Sequence, residues 1–101
     1  MDPRFLNVVV NGDSMWPTLA NGASARFEMI DATVHDGLKV GQIVLLDHPF
    51  RSELRIIKRI QTISNGKAFL IGDNPDPTAS EDSHNFGAIE IASIFAILSQ
   101  N

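Results

Sequence analysis

Residues 54–71 read LRIIKRIQTISNGKAFLI. Two apolar halves flank Asn65-Gly66, which is the dipeptide that most strongly favours a two-residue β-hairpin turn. We therefore predict a strand over residues 54–64, a turn at Asn65-Gly66 and a returning strand over residues 67–71. A hairpin in the second half of the chain indicates that the fold is built from antiparallel strands.

Four further apolar segments predict strands outside this hairpin. Residues 5–11 form an apolar run, and residues 23–30 alternate apolar with polar side chains as a half-buried strand does. Residues 42–47 hold a continuous apolar run, which predicts a strand buried on both faces. Residues 88–98 are β-branched and apolar, and they predict a single closing strand.

The remaining segments are polar and predict connections. Residues 31–41 and 50–53 have the composition of a loop and a turn. Residues 72–87 form a longer polar loop with two prolines, and irregular loops of that length in a small domain are usually functional. The pattern as a whole predicts one domain, residues 1–101, that is mainly β: a small antiparallel β-barrel or folded sheet of about six strands.

Composition narrows the class of protein. The chain has 101 residues, 44% of them hydrophobic and 20% charged, as in ordinary soluble domains. The net charge of −4 argues against nucleic acid or an anionic membrane as a partner. The chain has no cysteine, which excludes disulfides and zinc–thiolate sites. Since it has neither a transmembrane run nor a secretory signal, we expect a cytoplasmic protein. We also expect no cofactor.

Lys58 is a candidate catalytic residue. On a strand it shares one face with Ile56 and Ile60, and burial among apolar side chains lowers the pKa of a lysine because it disfavours the ammonium form. A lysine tuned in this way can act as a general base. The alternative, which the strand alone favours, is that Lys58 and Arg59 extend from a sheet edge into solvent.

Ser14 is a candidate nucleophile. It lies in a tight turn directly after the first predicted strand, but most serines in such turns only cap them, and a nucleophile needs a nearby base. His35, His48 and His84 are expected to be solvated residues of loops and strand ends. A Ser-His-Asp triad is neither supported nor excluded by their spacing.

Metal sites have little support in the sequence. The histidines lack the spacing of nickel or zinc ligands, and residues 72–87 have the carboxylates but not the spacing of a calcium loop. We therefore expect no metal site.

Several segments together resemble the type I signal peptidase family of Ser-Lys proteases. Residues 14–19 (SMWPTL) are similar to its nucleophile box, residues 55–60 (RIIKRI) to its lysine box, and residues 72–87 (GDNPDPTASEDSHNFG) to its final box. Residues 41–44 (GQIV) resemble the strand start between the first two boxes. The order and spacing of the segments agree with the family over residues 12–87, and the family fold is a mainly antiparallel β domain.

The resemblance implies roles for the matched residues. Ser14 would be the nucleophile, Lys58 the general base, and Ser80 the hydroxyl that orients the lysine amine. His84 stands where the family usually has arginine. Three more residues would support the site: Asp73, Asn74 and Asp82.

The turn around Ser14 would bind the oxyanion of the reaction, through the Ser14 N–H. Gly12 stands where many members of the family carry a second donor, a hydroxyl. The other residues of this turn would shape it and the substrate groove: Asp13, Met15 and Pro17.

Within the family, the small size of the chain resembles the subfamily that removes the N-terminal propeptide from a nickel superoxide dismutase precursor. The expected partner is therefore a protein or peptide substrate, and the sequence does not define the oligomeric state. Two alternatives stay open. The chain could be similar to the self-cleaving domain of LexA-type repressors, or it could be a binding module in which Ser14 is only a turn residue.

Overall fold

A computed structural model describes residues 4–30, 37–76, 78–79 and 81–99. Seven strands are found in these residues: β1 (Phe5–Val9), β2 (Ser24–Met29), β3 (Ile43–His48), β4 (Arg51–Ser64), β5 (Lys67–Ile71), β6 (Ile89–Glu90) and β7 (Ile94–Leu98). The described residues also contain a four-residue helix, α1 (Ser83–Phe86), and a 3₁₀ turn (Ile91–Ser93).

The strands form one antiparallel sheet in the order β1-β2-β7-β3-β4-β5-β6. The prediction of a mainly β, antiparallel fold is confirmed. The barrel alternative is wrong, because β1 and β6 form the two edges and do not pair with each other in the described residues. The count of about six strands is one too low.

β3 lies at the centre of the sheet and is buried on both faces, as its continuous apolar run predicts. Ile43 and Leu45 pack into one core cluster with Phe27, whereas Val44 and Leu46 pack into a second cluster on the other face. Successive side chains of a strand point to opposite faces, so one apolar strand joins both cores.

The β4–β5 hairpin is confirmed, with Ser64 opposite Lys67. Asn65 and Gly66 both have positive φ angles (54° and 74°), as a type I′ turn requires. The predicted turn over residues 50–53 is wrong. β4 already begins at Arg51, which pairs with His48 after a register shift, so the polar residues there belong to an exposed strand end.

Two predictions about the C-terminal part are also corrected. The predicted loop over residues 72–87 contains α1, which begins after Asp82 with a capping box to Asn85. The predicted single strand over residues 88–98 is interrupted by the 3₁₀ turn. The reason is topological: β6 pairs with β5 near one edge, whereas β7 pairs with β2 and β3 near the centre. None of the described helices is long and apolar enough to cross a membrane.

Candidate functional site

A cleft of about 550 Å³ opens between the end of β1, the turn that follows it, the β3–β4 region, Ala79 and Glu81. Ser14 and Lys58 both line this cleft, although they are 44 positions apart in the sequence. His48 and Glu81 also line this cleft, although the sequence did not indicate them as site residues.

The Ser14 turn is closed at its base and anchored in the core. Hydrogen bonds between Val10 and residues 22–23 join the two ends of the segment, at 2.7 and 2.8 Å. Met15 is 1% exposed and packs into the core cluster that contains Phe27. This packing fixes the position of the residue that follows Ser14. Pro17, which follows a cis peptide bond to Trp16, lies at the exposed side of the turn.

Asn74 fixes the peptide groups on both sides of the Ser14 Cα atom. Its N–H donates to the Ser14 carbonyl (3.0 Å), and its side-chain Nδ2 donates to the Asp13 carbonyl (2.7 Å). The Asp13–Ser14 peptide is trans and planar, so the Ser14 N–H points away from Asn74. No acceptor for this N–H is found among the described residues.

Asp73 ties the same turn to β4. Its carboxylate accepts two hydrogen bonds from Arg59 (2.7 and 2.6 Å) and one from the Thr18 hydroxyl (2.6 Å). The hydrogen bonds from Arg59 hold the pKa of Asp73 below its usual value. Arg59 also donates to the Gly41 carbonyl (2.6 Å). This role of Arg59 is not visible in the sequence, since the pairing joins residues whose proximity depends on the sheet.

Lys58 is buried, with 3% of its surface exposed. It lies opposite Val44, and its neighbours on the same face, Ile56 and Ile60, pack into the second core cluster. Burial lowers the pKa of Lys58, and the negative charges of Asp82 and Glu81 act in the opposite direction. The alternative in which Lys58 and Arg59 both extend into solvent is therefore wrong.

Asp82 holds the segment before α1 in place. It accepts hydrogen bonds from the His84 N–H (2.8 Å), from His84 Nδ1 (2.9 Å) and from the Gly72 N–H (3.4 Å). Burial raises the pKa of Asp82, but the hydrogen bonds from His84 outweigh it and the net shift is downward. Next to it, the buried Ser83 hydroxyl accepts from the Leu70 N–H (2.8 Å), which joins α1 to β5.

His48 is not the solvated residue that its position next to Pro49 suggested, because it is only 4% exposed. Its Nδ1 accepts from the Phe50 N–H (3.1 Å), and its Nε2 lies 2.6 Å from a Glu81 carboxylate oxygen. Both ring nitrogens are engaged, so His48 has no free lone pair for the proton of Ser14. His84 is exposed and does not line the cleft.

Other candidate residues are placed as follows. Gly12 has a φ of +93° and donates its N–H to the Asn21 side chain (2.8 Å), whereas Asp13 is exposed at the cleft. Ser80 and His35 lie outside the described residues. Within the described part of the chain, no three His, Asp or Glu side chains are grouped closely enough to hold a metal ion.

Comparison with models of known protein families gives no match, and comparison with curated proteins gives none either.

Proposed function

We propose that this protein is a serine endopeptidase in which Ser14 is the nucleophile and Lys58 the general base. The observation that carries the proposal is the burial of the Lys58 side chain in the cleft that Ser14 also lines. A lysine must be neutral to accept a proton, and desolvation is the effect that makes it neutral at lower pH. The family resemblance of residues 12–87 gives both residues the same roles.

The first half of the reaction forms an acyl-enzyme. The Ser14 Oγ attacks the substrate carbonyl while its proton passes to the Lys58 Nζ, and the Ser14 N–H stabilises the negative oxygen of the tetrahedral intermediate. The intermediate collapses as the Lys58 ammonium returns this proton to the leaving amine, and the C–N bond breaks. In the second half Lys58 takes a proton from water, the hydroxide displaces the Ser14 Oγ, and Ser14 recovers the proton.

The substrate proposed is a protein precursor from which an N-terminal propeptide is removed, with a nickel superoxide dismutase precursor as the first candidate. This part of the proposal rests on the resemblance to the small subfamily. The cleft volume of about 550 Å³ lies within the range of ligand-binding pockets. Apolar lining residues near Ser14, among them Met15 and Leu45, suit small apolar side chains.

The test is incubation of the purified protein with a nickel superoxide dismutase precursor, followed by mass spectrometry of the products. We expect Ser14→Ala and Lys58→Met each to reduce cleavage by more than about 10³-fold while circular dichroism stays unchanged. Ser93→Ala and Lys67→Ala, which change exposed residues away from the cleft, serve as matched controls. Normal processing by Ser14→Ala would refute the proposal.

Two further outcomes separate the alternatives. A cut within the chain itself, after incubation alone at mildly alkaline pH, would favour the self-cleaving domain. If a serine-directed acylating probe leaves Ser14 unlabelled under conditions that label an active Ser-Lys peptidase, the binding module is favoured.

A further inference from the structure

A buried histidine and a carboxylate meet at the wall of the cleft, and the proposed reaction uses neither of them. His48 ends β3, and Glu81 lies 33 positions later in the segment before α1. Their side chains approach to 2.6 Å. His48 is 4% exposed, whereas the Glu81 side chain is 49% exposed. The histidine is therefore the buried member of the pair, and the glutamate is the member that solvent reaches.

The hydrogen bonds of His48 determine where its proton lies. Because the Phe50 N–H donates to Nδ1, that nitrogen carries a lone pair, and the proton of the neutral ring is on Nε2. Nε2–H therefore donates to the Glu81 carboxylate. The ring of Phe86 contacts the imidazole edge-on, with 5.3 Å between the ring centroids, and this contact fixes the orientation of the donor.

We propose that His48 and Glu81 are a positioning pair for Lys58, in which His48 holds the Glu81 carboxylate in the cleft where it stabilises the ammonium form of the lysine. This inference rests on the proposed role of Lys58 as general base. The ammonium forms when Lys58 takes the proton of Ser14, so a carboxylate held in the cleft stabilises the charge that develops in that step. Without His48, a half-exposed glutamate would extend into water.

Of the two carboxylates that favour the ammonium form of Lys58, Glu81 is the one whose position depends on His48. Asp82 also favours the ammonium form of Lys58, but its two oxygens are occupied by His84 and Gly72. Three further charged residues line the cleft: Asp13, Arg51 and Arg55. Among the described residues, none of these three makes an ion pair with Glu81, and His48 is its only hydrogen-bond partner.

The test is a direct titration of Lys58 by NMR, with lysine labelled at Cε, in the wild type and in variants. We expect Glu81→Gln and His48→Phe to lower the pKa of Lys58, because the carboxylate is neutralised or released. His48→Gln keeps an N–H donor for Glu81 and is expected to retain the wild-type titration. Glu53→Gln, which removes an exposed carboxylate outside the cleft, is the matched control.

Peptidase assays add a second readout. A lower pKa of Lys58 moves the acidic limb of the kcat/KM profile to lower pH. On that limb the activity relative to the plateau should rise about two- to fivefold in Glu81→Gln, the strength of a partly exposed charge pair. An unchanged lysine titration in Glu81→Gln would overturn the pairing even if cleavage is observed. If no variant and no wild type cleaves, the proposed function fails while the titration still decides on the pair.

Discussion

Replacing Asp73 with alanine tests how the Ser14 turn is attached to the sheet. The carboxylate accepts three hydrogen bonds, two from Arg59 on β4 and one from Thr18 in the turn. Its side chain is 12% exposed, and that of Arg59 is 31% exposed. Asp73→Ala removes all three bonds and leaves Arg59 with the Gly41 carbonyl as its remaining acceptor among the described residues.

The size of the effect follows from this geometry. Removing one partner of a fully buried ion pair costs about 3–5 kcal/mol of stability. A hydrogen bond to a charged group contributes about 1.5–3 kcal/mol. Because nearly a third of Arg59 is exposed, water screens part of the loss, and we expect about 2–3 kcal/mol. The unfolding entropy of a domain of 101 residues is about 0.2 kcal/mol/K, so Tm should fall by about 10–15 °C.

The assay is thermal and urea unfolding at pH 7, with Asp47→Ala as the matched control. Asp47 pairs with Arg55 at 3.9 Å and both side chains are more than half exposed, so its loss should cost less than about 1 kcal/mol. A double-mutant cycle with Thr18→Val measures the part that the turn contributes. Equal unfolding temperatures for Asp73→Ala and Asp47→Ala would show that Asp73 does not attach the turn to the sheet.

The pH dependence gives an independent check. The native pKa of Asp73 is lowered from the ordinary value of 3.8, so the unfolded chain binds this proton more readily than the native protein. The stabilisation is therefore fully present above about pH 4–5 and is lost as pH falls through the native pKa. The stability difference between wild type and Asp73→Ala should stay constant from pH 5 to 8 and narrow in acid. A difference that keeps its neutral-pH value throughout the acid range would contradict the assignment to the carboxylate.

Two further variants are expected to move stability in opposite directions. Lys58→Met should raise the free energy of unfolding at pH 7 by about 1–2 kcal/mol, because burial lowers the pKa of Lys58. In urea unfolding this gain should shrink as the pH rises towards 10.5 and be absent above it, where lysine is neutral in both states. Ser83→Ala should lower it by about 1–2 kcal/mol in thermal unfolding, because the buried Leu70 N–H loses its acceptor, whereas the exposed Ser93→Ala should change it by less than about 0.5 kcal/mol.

The parts of the fold that the sequence predicts well are those decided by neighbouring residues. The Asn65-Gly66 turn and the two-sided burial of β3 depend on local backbone preference and on a continuous apolar run, and both are read directly from the chain. The position of β7 between β2 and β3 depends on pairing between distant strands. No local pattern encodes that placement, and the open sheet and the break before β7 follow from it.

The same distinction applies to the candidate site. The apolar neighbours of Lys58, two positions away on one strand face, indicate that its pKa could be lowered. The strand alone nevertheless favoured an exposed lysine, because the burial that lowers the pKa depends on packing in the folded sheet. The hydrogen bonds of Arg59 with Asp73 and of His48 with Glu81 were not predictable, since each joins segments that only the sheet brings together. A short capping signal was also missed, because Asn85 replaces the usual glutamate or glutamine of a capping box.

β4 carries the proposed base, Lys58, and the residue that anchors the Ser14 turn, Arg59, at adjacent positions. Lys58 faces the second core cluster and loses its hydration, while Arg59 points to the other face and reaches Asp73. Asp73 binds Thr18, and Asn74 binds the carbonyls of the Ser14 turn. A shift of β4 by one residue would exchange the two faces. It would move the lysine to the face on which Arg59 is partly exposed and break the attachment of the turn in the same step. The register of this single strand therefore sets both the burial of Lys58, the proposed base, and the position of Ser14.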